Sequence, residues 1–231
     1  MSTIAENVAR IREKMAEAAR QAGRDPESIR LCAATKMNDA AACREAIAAG
    51  IDALGENRVQ EMTQKLSENA YDGAPLHFIG HLQRNKVKQV VGHVSLIQSV
   101  GSLELLDEIE KVAANRGLVQ DILLEVNVGG EEAKSGFAPA DTEAAAEAAL
   151  SRSHVRVLGL MTIPPADADR DTNMRYFEEV RALYVDIDRK LFHNNFKYLS
   201  MGMSGDFADA IRCGANMVRV GTAIFGARNY T

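Results

Sequence analysis

The chain has 231 residues, of which 46% are hydrophobic and 26% are charged, and its 27 basic and 32 acidic residues give a formal net charge of −5. This composition is typical of a single globular domain with a sizeable core, and the absence of a long basic block argues against a nucleic-acid partner. The three cysteines are scattered without metal-ligand spacing, and no apolar run approaches the about 20 residues of a membrane-spanning helix. We therefore predict a reduced cytoplasmic protein with no metal site, no signal peptide and no membrane segment.

The first predicted strand ends at a lysine. It is preceded by a predicted helix, because apolar residues recur at helical spacing from Ile4 until Gly23. The segment from Ile29 to Lys36 is a short apolar run typical of a buried strand. A lysine at its end can bury its stem and present its amine to a cleft, where partial burial favours the neutral, nucleophilic form. A solvated strand-end lysine is the ordinary alternative, and this segment alone does not exclude it.

The rest of the chain alternates short apolar segments with segments of helical spacing. The further predicted strands are 51–54, 76–80, 94–98, 119–128, 155–161, 198–201 and 216–220. The predicted helices between them are 39–48, 59–67, 83–91, 102–117, 139–151, 172–190 and 204–213. Strands that are apolar throughout and separated by helices indicate a parallel sheet covered by helices on its outer face.

Eight strand–helix units predict a closed (β/α)₈ barrel of the TIM type, to which the first helix is extra. An open doubly wound sheet is the alternative, because strand counting from one sequence is imperfect. In a parallel barrel the C-terminal ends of all strands meet at one face. The residues at or just past such ends are Lys36, Asn57, His81, Asn127, Thr162, Ser200 and Arg219. This placement favours a functional interpretation of Lys36.

Two late segments have the composition of an anion site. Residues 200–206 join the seventh strand to a helix, and Gly221 and Thr222 follow the eighth strand. In barrels these two loops often hold a phosphate with backbone N–H groups, to which glycines allow close approach and hydroxyls add donors. The alternatives are a helix cap at Ser204 and an ordinary turn at Gly221.

Arg219 lies in an otherwise apolar strand. A guanidinium there needs a partner, and the alternatives are a structural ion pair, an outward-facing surface position or a polar contact to a ligand. A lysine amine together with a phosphate site fits pyridoxal 5′-phosphate (PLP), whose aldehyde would form a Schiff base with Lys36. A Schiff-base aldolase acting on a phosphorylated sugar would need the same two parts, so the residues alone leave both functions open.

Six motifs resemble those of the pyridoxal phosphate homeostasis protein family. They are ATK at 34–36, GENRVQE at 55–61, HFIGHLQRNK at 77–86, GLMTI at 159–163, LSMGMS at 199–204 and VRVGTAIFG at 218–226. The motifs stand in family order and span nearly the whole chain, so the set is far more specific than any one of them. The resemblance implies a single PLP-binding barrel domain over residues 1–231, of PLP fold type III and similar to the N-terminal domain of alanine racemase.

By motif, the resemblance implies roles for eight residues. Lys36 would carry the Schiff base, Asn57 would lie near the cofactor ring and Arg219 would face the pyridine nitrogen. The residues expected on the phosphate side are Ser200, Met201, Ser204, Gly221 and Thr222. Arginine is a permanent cation that only donates hydrogen bonds, so a pyridine nitrogen beside it would stay unprotonated and the cofactor would be a weaker electron sink.

The resemblance also implies a protein with no catalytic residue. Racemisation in the related enzyme uses a tyrosine from a second domain, and we expect residues 225–231 to leave no room for one, so that proton transfer lacks a partner. The family is regarded as holding PLP and handing it on, which affects vitamin B6 and amino-acid balance. PLP-dependent apo-enzymes are the implied recipients, and we expect a monomer. A PLP-dependent amino-acid racemase of low activity is the alternative function.

Overall fold

The computed structural model describes residues 3–131 and 134–226. In these segments eight strands close into a parallel barrel in chain order. The strands are β1 Arg30–Ala34, β2 Ala53–Glu56, β3 Leu76–Phe78, β4 Leu96–Val100, β5 Gln120–Val126, β6 Val155–Thr162, β7 Tyr198–Ser200 and β8 Met217–Val220. The α-helices are α1 Ile4–Gln21, α2 Ala40–Ala48, α3 Val59–Ser67, α4 Val87–Val90, α5 Leu103–Arg116, α6 Thr142–Leu150, α7 Arg170–Ile187, α8 Phe207–Arg212 and α9 Thr222–Phe225. The predicted (β/α)₈ barrel with an extra N-terminal helix is confirmed.

The first strand is shorter than its apolar sequence indicates. It ends at Ala34, so Lys36 lies two residues beyond it and the prediction that Lys36 is the last strand residue is wrong. The N–H of Thr35 still donates to the carbonyl of Gly55 at 2.9 Å, but Met37 adopts φ 62°, which turns the chain out of the extended conformation. Lys36 is therefore at the start of a turn.

Helix boundaries follow local capping where the sequence provides it. The side chain of Thr3 accepts from the N–H of Glu6 and the side chain of Glu6 accepts from the N–H of Thr3, a capping box that begins α1. The segment predicted as one helix over 83–91 is instead a 3₁₀ turn followed by the single turn of α4. The short helix α9, which directly follows Gly221, is missing from the sequence prediction.

The described residues divide into two compact units. Residues 3–77 and 201–226 form the first, whose core includes Leu31, Leu54 and Val218. Residues 78–131 and 134–200 form the second, with a core of the same aliphatic kind. The prediction of one domain over residues 1–231 stays a prediction.

In the first unit, α1 connects to the end of the chain. The apolar face of α1 is buried, with Val8, Ile11 and Met15 at most 2% exposed. On the same helix Nδ2 of the buried Asn7 donates to the carbonyl oxygen of Ile224 at 2.8 Å, so α1 holds α9 in place. The sequence analysis expects residues 225–231 to leave no room for a second domain. Residues 227–231 of that segment lie outside the described residues. Among the helices of the described segments, none combines the length and the apolar character that a bilayer crossing requires.

Candidate functional site

Three neighbouring strands of the first unit place predicted site residues at the same ends. The strand β1 pairs in parallel with β2 and β8, in a register that aligns Ala34 with Gly55 and Ala33 with Val220. Asn57 and Gly221 directly follow β2 and β8, and Lys36 lies two residues beyond the end of β1. Since the three strands run in one direction, the three residues lie at one edge of this part of the sheet. Lys36 and Asn57 are half-buried there.

Gly221 packs directly against the end of β1. A Cβ atom at Gly221 would lie 3.2 Å from the carbonyl oxygen of Ala34 and 3.5 Å from its Cβ atom. The 3.2 Å distance is shorter than an ordinary van der Waals contact, so the absence of a side chain at Gly221 allows the ends of β8 and β1 to approach this closely. Because Ala34 precedes Lys36 by only two residues, the start of α9 is next to the segment that carries the lysine.

The hydroxyl of Ser204 lies at the start of α9. The N–H groups of Gly221 and Ala223 donate to Oγ of Ser204 at 3.3 and 3.4 Å, which is longer than the usual 2.9–3.0 Å. The alternative of a helix cap at Ser204 is wrong, because α8 begins only at Phe207 and Asp206 takes the cap position. Two backbone N–H donors thus converge on one hydroxyl oxygen, as such donors also do on anion oxygens in proteins.

The loop that carries Ser204 is held in place on both sides. The N–H of Met201 donates to the carbonyl of Met217 at 3.1 Å, and the N–H of Arg219 donates to the carbonyl of Gly202 at 3.0 Å. Gly202 has φ 94°, and a Cβ atom there would lie 2.6 Å from the Cβ of Ala210, so only glycine fits. The position of Ser204 is therefore set by backbone contacts of fully buried neighbours.

Arg219 is buried, with 3% of its surface exposed, so the alternative of an outward-facing surface residue is wrong. It stands opposite Cys32 in the register of β1 and β8. Burial raises the pKa of the Cys32 thiol to about 12, and the positive charge of Arg219 opposes that rise. A permanent cation is thus buried on β8, opposite Cys32 of β1.

The sequence analysis missed a buried ionic network that contacts Thr35, the residue before Lys36. Oε1 of Glu56 accepts from Nζ of Lys65 at 2.7 Å, from the hydroxyl of Tyr71 at 3.0 Å and from the hydroxyl of Thr35. Burial, followed by the charge of Glu56, holds the pKa of Tyr71 far above its usual value. Oε2 of Glu56 has no partner among the described residues. The sequence does contain a signal for this network: Glu56 lies inside the motif at 55–61, and Lys65 lies on the helix that follows it.

Thr222 is the exposed first residue of α9 in the first unit, and the predicted residues not yet described belong to the second unit. Ser200 is the last residue of β7, is fully buried, and donates its hydroxyl to Oε1 of Gln98 at 2.6 Å. Thr162 donates its hydroxyl to the carbonyl of Val126 at 2.7 Å, and Nδ2 of Asn127 donates to the carbonyl of Glu131 at 2.9 Å. These side chains all hold strand ends or loops. His81 is exposed and borders a cavity of about 620 Å³ within this unit.

Comparison with known proteins identifies the family. A model of the alanine racemase N-terminal domain matches residues 2–229. The pyridoxal phosphate homeostasis protein of Aquifex aeolicus is 42% identical over 225 residues, which are 97% of this chain and 98% of that protein. This chain belongs to the pyridoxal phosphate homeostasis protein family. The homeostasis protein of Pseudomonas aeruginosa is also 42% identical, over 100% of this chain and 98% of that protein.

Solved structures agree with membership of the homeostasis protein family. PipY of Synechococcus elongatus, solved with PLP bound, has a TM-score of 0.83 and 32% identity, covering 97% of this chain and all of PipY. A protein of Bifidobacterium adolescentis has a TM-score of 0.89 and 38% identity, covering 96% of this chain and 94% of that one. Alanine racemase of Clostridium difficile shares the fold alone, with a TM-score of 0.70 and 18% identity, and the match covers 57% of that enzyme. This chain thus has the fold of somewhat more than half of that racemase.

Proposed function

We propose that this chain binds PLP, holds it as a Schiff base on Lys36, and acts in PLP homeostasis and amino-acid balance rather than in catalysis. The observation that carries the proposal is the convergence of the Gly221 and Ala223 amides on the Ser204 hydroxyl, next to the β1 end that leads to Lys36. The names of the curated relatives and the PLP-bound structure of PipY support the same cofactor. PLP supplies an aldehyde that condenses with an amine, with loss of water.

The phosphate group of PLP would lie at the start of α9. The Ser204 hydroxyl would donate to a phosphate oxygen, and a side-chain rotation that moves Oγ away from the amides of Gly221 and Ala223 would free them to donate to the same group. Thr222, the exposed first residue of α9, adds a hydroxyl donor. Met201 and Ser200 are the other residues proposed for the phosphate side; both are fully buried, and the Ser200 hydroxyl donates to Gln98.

Asn57 and Arg219 would hold the ring of PLP, with Arg219 facing the pyridine nitrogen. The guanidinium of Arg219 can only donate hydrogen bonds, so it would pair with the unprotonated pyridine nitrogen. An unprotonated ring withdraws electrons weakly, which disfavours carbanion chemistry at the α-carbon of an amino acid. This is the physical reason why we propose storage and delivery of the cofactor rather than racemisation.

Absorbance spectroscopy and reductive trapping test the proposal. We expect protein produced with ample vitamin B6 to show a visible absorbance band, and borohydride to fix a PLP adduct that mass spectrometry locates on Lys36. The variant Lys36→Ala should lose both signals, whereas Lys14→Ala, which removes an exposed lysine of α1, should keep them. A protein without bound PLP, or with an adduct at another lysine, would overturn the assignment. A phosphorylated sugar carbon trapped on Lys36 would instead indicate an aldolase.

Isotope exchange tests the absence of catalysis separately. We expect the PLP-loaded protein to exchange the α-hydrogen of a panel of amino acids no faster than free PLP. Exchange well above that background would leave PLP binding intact and contradict the non-catalytic role. The proposed delivery to recipients is tested by mixing the loaded protein with a PLP-dependent apo-enzyme and following the recovery of that enzyme's activity. Light scattering of the purified protein tests the expected monomer.

A further inference from the structure

We propose that helix α3 positions Lys36 for reaction with an aldehyde, because Lys65 and Glu61 of α3 hold the backbone on the two sides of that lysine. The inference rests on the proposed function, since its consequence is the reactivity of the Lys36 amine. Neither Lys65 nor Glu61 is assigned a contact with PLP. Both are positioning residues that act through the backbone of the segment after β1.

On the N-terminal side of Lys36, the contact is made by Lys65. Its Nζ donates to the carbonyl oxygen of Thr35 at 2.8 Å and to Oε1 of Glu56 at 2.7 Å. The Lys65 side chain is only 7% exposed and that of Glu56 is fully buried. The ammonium therefore cannot leave for solvent without breaking a buried ion pair, and the Thr35 carbonyl stays fixed with it.

On the C-terminal side, the contact is made by Glu61. Its Oε2 accepts from the N–H of Met37 at 2.9 Å. Met37 has φ 62° and a side chain that is 48% exposed, so the packing of its own side chain contributes little to the turn. Nζ of Lys65 lies 3.9 Å from the same Oε2 of Glu61, so one ammonium is close to the acceptors on both sides of Lys36.

The chemical consequence concerns the approach of the amine. The Lys36 nitrogen must reach the aldehyde carbon while that carbon is held, form the C–N bond and expel water. A lysine side chain has four rotatable bonds, so a mobile backbone would spread the amine over a large volume. Fixing residues 35 and 37 reduces that volume, and misplacement by about 1 Å can cost as much as about 10²-fold in rate. The main expected effect of the α3 contacts is therefore on the rate of Schiff-base formation.

Two substitutions of Glu61 separate its hydrogen bond from its charge. Glu61→Ala removes the acceptor, whereas Glu61→Gln removes the charge and keeps an oxygen that accepts from the N–H of Met37. The rate of adduct formation is measured by borohydride trapping and mass spectrometry at Lys36, with PLP and with pyridoxal, which lacks the phosphate. Hydrogen exchange of the Met37 amide is measured in the same proteins without any aldehyde.

For Glu61→Ala we expect about tenfold slower adduct formation with both aldehydes, and about tenfold faster exchange of the Met37 amide. Glu61→Gln should restore both values to near those of the parent protein. The variant Lys65→Met combined with Glu56→Gln removes both charges of the buried pair and should also slow the reaction, whereas Lys14→Met should not. A rescue by Glu61→Gln is an outcome that loss of overall stability would not produce.

Unchanged adduct rates in Glu61→Ala, with or without faster amide exchange, would overturn the positioning role and leave PLP binding intact. Failure of the parent protein to form any PLP adduct at Lys36 would overturn the proposed function instead. In that case the rate of adduct formation with pyridoxal still tests the positioning role, because pyridoxal lacks the phosphate and its reaction with Lys36 does not depend on the phosphate site. Each result thus decides one of the two proposals.

Discussion

The ammonium of Lys65 lies 2.7 Å from Oε1 of Glu56, and the two side chains are 7% and 0% exposed. Helix α3 and strand β2 are therefore joined by a buried ion pair at the strand end that precedes Asn57. Such a pair is costly to break, because the remaining partner becomes an uncompensated charge away from water. Tyr71 also donates to the same oxygen at 3.0 Å, which concentrates the network on Glu56.

Removal of Lys65 alone should therefore destabilise the protein strongly. We expect Lys65→Met to lower the free energy of unfolding by about 3–5 kcal/mol, because Glu56 keeps its charge and loses its cation. The double variant Lys65→Met, Glu56→Gln should recover a large part of this loss. Urea unfolding followed by circular dichroism measures both values. A single variant as stable as Lys14→Met would contradict this account of the pair.

Gly159 should not tolerate a side chain, whereas Gly205 should. Gly159 has φ 144°, and a Cβ atom there would lie 1.9 Å from the carbonyl oxygen of Tyr198 on the neighbouring strand. We expect Gly159→Ala to cost about 3 kcal/mol of unfolding free energy, and Gly205→Ala, where no atom lies within 4 Å, to change it by less than about 0.5 kcal/mol. Thermal and urea unfolding check both, and equal effects would mean that the close contact with Tyr198 relaxes at little cost.

His77 should make the stability depend on pH. Burial lowers its pKa to about 4 from an ordinary value of 6.5. Between pH 6.5 and 4 the unfolded chain binds a proton at this residue and the folded chain does not, so stability falls as the pH decreases through this window. The full contribution is about 3 kcal/mol, present above pH 6.5 and lost by about pH 4.

The variant His77→Gln isolates this contribution from that of the carboxylates. We expect its unfolding free energy to fall less steeply between pH 6.5 and 4 than that of the parent, by up to about 1.4 kcal/mol per pH unit. Urea unfolding at a series of pH values gives both slopes. Parallel slopes would mean that His77 binds its proton equally in the folded and unfolded chains.

The cysteines should differ in their reactivity toward thiol reagents. Burial raises the pKa of Cys32 to about 12 and that of Cys43 to about 11, and the thiolate is the reactive form. Cys213 is half-buried. At pH 8 we expect an aromatic disulfide to label one thiol per folded chain, none in Cys213→Ser, and all three after unfolding. Rapid labelling of Cys32 or Cys43 in the folded protein would show that β1 or α2 opens readily.

The order of the elements follows from the sequence by itself. A strand buried in a parallel barrel must be apolar along its whole length, and the helices between strands must present an apolar face, so the alternation is visible residue by residue. Local caps show why some boundaries are predictable: Thr3, Asp39 and Ser102 each accept hydrogen bonds from the N–H groups of the helix that follows. The eight candidate binding residues stand out by their positions at predicted strand ends or in the loops after the seventh and eighth strands, and the resemblance of the motifs implied the role of each.

The tertiary structure alone decided how the candidate site is held. Ser204 does not cap α8, the next helix in sequence; its hydroxyl accepts instead from Gly221 and Ala223 at the start of α9, which are 17 and 19 residues away. The pairing of Lys65 with Glu56, and the hold of α3 on the backbone around Lys36, likewise depend on the direction in which each side chain leaves its element. Local propensity contains no information about contacts between separate elements, since these depend on strand register and helix packing. The sequence thus determined which elements form and in what order, and the packing of those elements determined which side chains meet.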